Sequence, residues 1–121
     1  MNLGKRDETD GKIKITTFQK SKELGKILGL DGTMEILHLL DGGPCQHKEI
    51  DGEQFIPTST LTRRLKELQS VDIIKKNPIT SNRRDTHQYD LTKSGIELMK
   101  FVNKYEKIMK IPMEQQRIVE V

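Results

Sequence analysis

Basic side chains are concentrated in one stretch of the 121-residue chain, between positions 63 and 84. This stretch holds seven lysines and arginines against two acidic residues, a formal charge of +5; the whole chain carries +3, which leaves −2 for the remainder. A local positive excess on a nearly neutral body is typical of a protein that binds a polyanion. A solvated charged surface is the alternative. The seven basic residues are Arg63, Arg64, Lys66, Lys75, Lys76, Arg83 and Arg84.

A second group of reactive residue types surrounds the single cysteine, Cys45. His47 lies two positions after it, and His38 and Asp41 precede it. Stable zinc sites normally need three or four converging ligands, and these residues form a poor set. We therefore predict no metal site and no cofactor. Redox sensing by Cys45 is a minor alternative, because nothing in the sequence indicates that the pKa of this thiol is lowered.

The sequence contains no motif that indicates catalysis. Neither a P-loop nor a dinucleotide fingerprint is present, and no nucleophile is placed beside a base. The Asp-Gly pairs at 31–32, 41–42 and 51–52 are typical of turns. We predict that the protein is not an enzyme.

The length of the chain predicts a single domain, flanked by polar segments that lack a helical or strand pattern. We expect a flexible arm over 1–15, a folded domain over 16–111 and a tail over 112–121. No apolar stretch is long enough to span a bilayer, and the amino terminus lacks the apolar core of a signal peptide. A single cysteine also fits a reducing compartment. These features predict a cytoplasmic protein without a membrane partner.

Helical spacing of apolar residues predicts three helices in the first half of the domain. The first begins near Thr16 or Thr17, where Thr16 and Gln19 have capping-box spacing, and its apolar side consists of Leu24, Ile27 and Leu28. The second helix ends at the Gly-Gly-Pro sequence of positions 42–44, and a short third helix covers 46–50. In the second helix we expect Met34, Leu37 and Leu40 to face inward, flanked by Ile36 and Leu39.

The fourth predicted helix, from Thr58 to Gln69, carries the residues of greatest interest. Its buried stripe consists of Leu61, Leu65 and Leu68, which recur at positions i, i+4 and i+7. At about 100° per residue, the residues on the opposite side point away from this stripe. They are Ser59, Arg63 and Lys66, flanked by Thr60 and Thr62.

The last part of the domain reads as a β-hairpin followed by a long helix. We predict strands over Val71–Lys76 and Thr86–Leu91, joined by a basic turn over Pro78–Asp85. Thr92 caps a helix that extends to about Lys110. Lys100, Lys104 and Lys107 line one side of it, opposite an apolar stripe of Leu98, Phe101, Val102, Tyr105, Ile108 and Met109.

Helices followed by a hairpin and a long helix form a winged helix-turn-helix, a mostly α (α+β) fold with a two-stranded wing. In helix-turn-helix proteins the second helix of the pair enters the major groove of DNA. Here the second helix of the pair is the fourth predicted helix, and we expect it to contact DNA through Ser59, Thr60, Thr62, Arg63 and Lys66. The basic wing is expected to contact the minor groove or the backbone through Lys76, Arg83 and Arg84.

The stretch from Leu30 to Lys107 resembles the HxlR-type winged-helix regulators, which are relatives of the MarR group. The likeness lies in TLTRRLKELQSVDIIKK at Thr60–Lys76, in YDLTKSG at Tyr89–Gly95 and in KEI at Lys48–Ile50. The first piece is similar to the recognition helix running into the first wing strand. The second matches the family's Tyr-x-Leu-Thr-x-x-Gly junction. The resemblance implies a homodimer that binds DNA and regulates transcription, without catalytic activity.

The predicted function is therefore sequence-specific binding of double-stranded DNA by a homodimer that regulates transcription. We expect Tyr105, Ile108 and Met109 in the dimer interface, because they exceed what a small winged core can cover. The alternative is a winged-helix module of a transcription assembly that contacts protein and does not read DNA. The sequence does not indicate the operator, the sign of regulation or a small-molecule effector.

Overall fold

The computed structural model describes residues 17–80 and 85–111. The predicted arm over 1–15, the proposed Thr16 cap and the predicted tail over 112–121 lie outside these residues. Helix α1 covers residues 17–28. It is followed by α2 (Thr33–Asp41), β1 (Cys45–Gln46), α3 (His47–Asp51), α4 (Thr58–Ser70), β2 (Ile74–Thr80), β3 (Asp85–Leu91) and α5 (Lys93–Met109).

The strands form a three-stranded antiparallel sheet in the order β1-β3-β2. Strands β2 and β3 pair from Ile74 opposite Leu91 to Thr80 opposite Asp85, and this pair of strands is the wing. Strand β1 adds Cys45 opposite Tyr89. The predicted mostly helical winged helix-turn-helix fold is confirmed. The two-residue strand β1 was not predicted, because two residues are too few to show an alternating pattern.

The predicted first wing strand over Val71–Lys76 was placed too early. Strand β2 begins at Ile74 because Asp72, with φ of 60°, has the left-handed conformation that ends helix α4. The Asp72 amide donates to the Gln69 carbonyl at 3.0 Å, and the Ile73 amide donates to the Leu68 carbonyl at 3.1 Å. This pair of bonds is a Schellman motif, here with aspartate in place of the usual glycine. Val71 and Ile73 are buried at the joint, outside the strand.

The predicted turn over Pro78–Asp85 is also shorter than expected. Pro78 lies within β2, where it pairs with His87, and the strand continues to Thr80. Strand β2 is at the edge of the sheet, where a residue without an amide hydrogen is tolerated. The first strand of the wing is therefore longer than predicted, because Pro78 lies within the strand and not in the turn.

The core lies between the helices and the inner face of the sheet. Leu61, Leu65 and Leu68 of α4 are at most 1% exposed, which confirms their predicted inward direction. In α2 the predicted phase was partly wrong, because Ile36 is fully buried whereas Met34 is only half-buried. The buried hydrophobic residues are Ile27, Ile36, Leu37, Leu40, Ile50, Leu61, Leu65, Leu68, Val71, Ile73, Ile74, Tyr89, Leu91, Met99 and Val102.

The start of α5 is bonded to the end of α4. As predicted, Thr92 caps α5: its hydroxyl accepts from the Gly95 amide at 3.1 Å, and it also donates to the Asp72 carbonyl at 2.6 Å. A Cβ atom at Gly95 would overlap the Ile73 carbonyl oxygen. The Leu-Thr-x-x-Gly sequence thus has a physical basis: the threonine joins two elements, and the glycine lets α5 approach the backbone closely.

Only part of the apolar surface of α5 is used by the core. Gly95, Met99 and Val102 are buried, and Met99 is a core residue that the predicted stripe did not include. Four large apolar side chains, which we call the α5 stripe, are 55–66% exposed. They are Phe101, Tyr105, Ile108 and Met109.

Candidate nucleic-acid interface

The candidate interface is the solvent-facing side of α4. Ser59, Thr62, Arg63 and Lys66 are exposed there, and Thr60 is half-buried at its edge. We call these five residues the α4 face. Because the leucines opposite them are fully buried, the α4 face has a fixed direction relative to the core.

Arg64 does not belong to this face, although it is part of the basic stretch of the sequence. Its side chain is buried, at 8% exposure. Nε donates to the Asp31 carbonyl at 3.0 Å, and Nη1 donates to Glu67 Oε1 at 2.8 Å. Arg64 therefore fastens α4 to the loop before α2 and contributes little charge to the surface. Two arginines that are neighbours in the sequence therefore have different surroundings: Arg63 is exposed and Arg64 is buried.

The turn between α3 and α4 is held by polar contacts between the two helices. The Thr58 hydroxyl, at the first position of α4, donates to Asp51 Oδ1 at the last position of α3, at 2.9 Å. Helix α3 starts with a capping box, in which Glu49 Oε1 accepts from the Gln46 amide at 2.8 Å. The Thr58–Asp51 bond joins the end of α3 to the start of α4, and the capping box stabilises the first turn of α3.

A further contact joins α3 to the α4 face itself. His47 Nε2 lies 3.1 Å from the Thr62 hydroxyl, which in turn donates to the Thr58 carbonyl at 3.1 Å. The sequence suggested His47 only as a poor metal ligand and did not place it beside α4. Fifteen residues separate the pair, so only the folded helix-turn-helix brings them together.

The wing also presents basic side chains. Lys75 and Lys76 are exposed on β2, and Lys76 Nζ lies 5.9 Å from the centre of the Tyr89 ring. That distance is within the range of a cation–π contact. Arg83 and Arg84 lie outside the described residues, so the structure places only Lys76 of the predicted wing contacts.

The surroundings of Cys45 do not favour thiolate formation. Its thiol is half-buried and donates to the Gly43 carbonyl at 3.5 Å. Burial raises the pKa of this thiol, and the charges of Glu49, Asp90 and Glu53 raise it further. His38 is engaged elsewhere, with Nε2 3.0 Å from Glu106 Oε2 of α5. Within 17–80 and 85–111, no group of three histidine, cysteine or acidic side chains is placed to hold a metal ion.

Comparison with known families identifies the domain. Residues 27–117 match the family described as HxlR-like helix-turn-helix. The chain belongs to this family. Comparison with curated proteins gave no match.

Solved structures of transcription regulators share the fold of this HxlR-like domain. The reduced form of the regulator YodB from B. subtilis is 26% identical, with a TM-score of 0.64 over 71% of this chain and 84% of that chain. A MarR-family regulator from Enterococcus faecalis V583 is 17% identical, with a TM-score of 0.67 over 87% and 93%. The homodimeric winged helix-turn-helix DNA-binding domain of Mb0332 from Mycobacterium bovis is 19% identical, with a TM-score of 0.63 over 78% and 84%.

Membership of the HxlR-like family makes this chain a winged helix-turn-helix protein of the transcription-regulator class. The family and the similar structures named above are transcription regulators. Among the helices of the described residues, none is long and apolar enough to cross a membrane.

Proposed function

We propose that this protein regulates transcription as a homodimer that binds double-stranded DNA in a sequence-specific manner. The observation that carries the proposal is the α4 face, where Arg63 and Lys66 are exposed directly opposite three fully buried leucines. Helix α4 is the second helix of the helix-turn-helix, which enters the major groove in this class of fold. Membership of the HxlR-like family supports the same interpretation.

Arg63 is the proposed base-reading residue. Its exposed guanidinium lies in the middle of the α4 face, and a guanidinium can donate two parallel hydrogen bonds to O6 and N7 of guanine. Ser59, Thr60, Thr62 and Lys66 surround it and supply shorter or more flexible contacts to base edges and phosphates.

The wing is the proposed second contact, through Lys76, Arg83 and Arg84. Basic side chains in this position fit the negative potential of the minor groove or of the flanking backbone. We expect them to act mainly through charge, because phosphate contacts contribute affinity without sequence information.

The α5 stripe is the proposed dimer interface, and it contains the expected residues Tyr105, Ile108 and Met109. Contiguous exposed apolar surface of this kind usually marks an interaction site. An apolar groove of about 440 Å³ adjoins the stripe between α5, Leu28 of α1 and Met34 of α2. In a dimer whose twofold axis lies beside α5, the α5 helix of the partner would cover both the stripe and the groove. The Mb0332 domain, which has the same fold, is also homodimeric.

In vitro selection of bound duplexes, followed by mobility-shift titration on selected and random DNA, tests the proposal. We expect weak binding to random DNA at low salt and binding to the selected site that is tighter by about three orders of magnitude or more. A protein-interaction module of a transcription assembly would bind neither duplex, and this outcome would refute DNA binding.

Removal of both wing arginines tests the second contact. Arg83→Ala combined with Arg84→Ala should weaken binding to all sequences and reduce the slope of log affinity against log salt by about 0.9 for each phosphate that the variant no longer binds. An unchanged slope would mean that these arginines do not touch phosphate.

A further inference from the structure

We propose that the groove between α1, α2 and α5 is a binding site for a small organic cation, namely a protonated or quaternary amine that carries an apolar group. The inference goes beyond the proposed function, which includes no small molecule. In a transcription regulator such a ligand would be an effector, but its binding can be tested without DNA.

The groove has the size and the lining of a small-molecule site. Its volume of about 440 Å³ lies within the range of about 300–1,000 Å³ that is usual for ligand pockets. Six of its seven lining residues are apolar or aromatic. Leu28 comes from α1, Met34 comes from α2 and the others come from α5, so three helices surround the apolar part of a ligand.

The seventh lining residue, Glu106, supplies a negative charge. It is half-buried, and its Oε2 lies 3.0 Å from Nε2 of His38, which is outside the lining of the groove. A carboxylate has two oxygens and accepts several hydrogen bonds, so Oε1 is available to a further donor. Among residues 17–80 and 85–111, no lysine or arginine forms an ion pair with Glu106.

Two aromatic rings lie along the same groove. Phe101 and Tyr105 are about one helical turn apart on α5, and both line the groove. Each of them is more than half exposed in the protomer, so a ligand can reach them. The face of an aromatic ring is negative and attracts a cation that lies within about 6 Å of the ring centre. The rings and the Glu106 carboxylate therefore favour a ligand of the same charge.

Other classes of ligand fit this lining less well. A neutral apolar molecule would remove water from the Glu106 carboxylate without supplying a counter-charge, which is unfavourable. An anion would be repelled by Glu106 and by Glu35 and Asp41 of α2, a helix that contains no lysine or arginine. An organic cation satisfies both parts of the groove, because its apolar group leaves water while its charge lies beside the carboxylate and the rings.

The proposed dimer would enclose such a ligand. The α5 helix of the partner, lying on the α5 stripe, would form the remaining wall of the groove. Exclusion of water from the site would strengthen the attraction between the cation and Glu106, because charges interact more strongly at low dielectric.

Nuclear magnetic resonance titrations with two probes test the site. Benzyltrimethylammonium and phenylmethanesulfonate share a benzyl group and are similar in size, but their charges are opposite. At constant ionic strength we expect the cation to bind with a dissociation constant on the order of 1 mM, which is ordinary for a ligand of this size. It should shift the methyl signals of Met34 and Leu98, which line the groove. The anion should bind at least roughly fivefold more weakly.

Two substitutions in the groove separate the contributions of the carboxylate and of the ring. Glu106→Gln keeps the shape but removes a half-exposed charge, and it should weaken binding of the cation roughly fivefold without weakening binding of the anion. Phe101→Leu keeps an apolar side chain but removes a ring, and it should weaken binding of the cation roughly threefold. Glu23→Gln is the matched control. It removes an exposed glutamate of α1 that points about 140° away from Leu28, and it should change neither affinity.

Light scattering on the same samples separates this inference from the proposed dimer, and the spectrum of each variant verifies its fold. A dimeric wild type that binds neither probe would show that side chains of the partner fill the groove, which overturns this inference and leaves the proposed function intact. Equal affinity for the two probes, or cation binding that Glu106→Gln leaves unchanged, would also overturn it. Failure of wild type to bind DNA would refute the proposed function alone, because the probe titrations contain no DNA.

Discussion

Helices α4 and α5 are both amphipathic, but they use their apolar faces differently. The three leucines of α4 are at most 1% exposed, whereas the four side chains of the α5 stripe are 55–66% exposed. Helix α4 buries its apolar residues within its own domain and offers a polar, basic side to solvent. Helix α5 is anchored at its start by Gly95 and Met99, and from Phe101 onward it offers apolar residues to solvent.

This difference separates two kinds of amphipathic helix that have the same sequence pattern. An apolar face that the domain covers stabilises the fold, while one that the domain leaves open is available to a partner. Substitutions in α4 leucines should therefore change folding, and substitutions in the α5 stripe should change association. The following predictions test that division.

The largest effect on stability is expected for Leu65→Ala. Truncation of a fully buried leucine at the centre of α4 leaves a cavity and should reduce the free energy of unfolding by about 2–5 kcal/mol. Phe101→Ala, which removes a larger but exposed side chain of the α5 stripe, is the matched control. Denaturant unfolding at concentrations low enough to keep the protein monomeric measures both. Equal decreases would contradict the division between the two helices.

The next effect concerns association through α5. Ile108→Asp should weaken the homodimer, because Ile108 is 58% exposed in the protomer and burial of that exposed part in the interface contributes about 1–2 kcal/mol per protomer. Light scattering at tens of micromolar protein should then give the monomer mass for this variant and the dimer mass for wild type. Lys107→Asp is the control, because Lys107 is exposed and points at least about 100° away from every residue of the α5 stripe, so this variant should leave the mass unchanged. A monomeric wild type would refute the proposed interface.

A smaller effect is expected at the α4 face. Arg63→Ala should reduce affinity for the selected DNA site by about 1–3 kcal/mol and relax the preference at one base pair. Lys107→Ala on α5 also removes an exposed positive charge and should have little effect on DNA binding. If Arg63→Ala reduced affinity for selected and random DNA equally, Arg63 would be a phosphate contact and not a base-reading residue.

The smallest effect extends the comparison to α1. A Cβ atom at Gly25, in the middle of this helix, would meet no atom within 4 Å. Gly25→Ala should therefore stabilise the isolated protomer by about 0.5–1 kcal/mol, as glycine is a poor residue in a helix interior. Thermal unfolding and light scattering together test this. A weaker dimer would show that the partner approaches α1 closely at Gly25.

Elements with a strong periodic pattern could be predicted from the sequence. The inward leucines of α4, the cap at Thr92 and the exposure of the late α5 residues all follow from spacing and residue type. Errors arose where the chain departs from a regular pattern. The Schellman motif with aspartate at its left-handed position moved the start of β2 from Val71 to Ile74, and no glycine was present to indicate it.

The periodic pattern of the sequence could not predict contacts between residues that are far apart in the chain. Arg63 and Arg64 are adjacent and chemically identical, yet only the fold shows that Asp31 and Glu67 hold Arg64 inside. The bond from His47 to Thr62 depends in the same way on the angle between α3 and α4. In the candidate interface, sequence periodicity predicted which side of α4 faces outward, but not which of its polar groups are already engaged.

The joint at Asp72 and Ile73 has a mechanical consequence. The Asp72 carbonyl accepts from Thr92, the Ile73 carbonyl accepts from the Thr92 amide at 3.0 Å, and the Asp72 carboxylate bonds Lys20 of α1 at 3.1 Å. These hydrogen bonds join the end of α4 directly to the start of α5, so the two helices are expected to move together. In a dimer paired through α5, a change in the crossing angle of the two α5 helices would therefore change the distance between the two α4 helices. That distance must match the separation of the operator half-sites, about 34 Å.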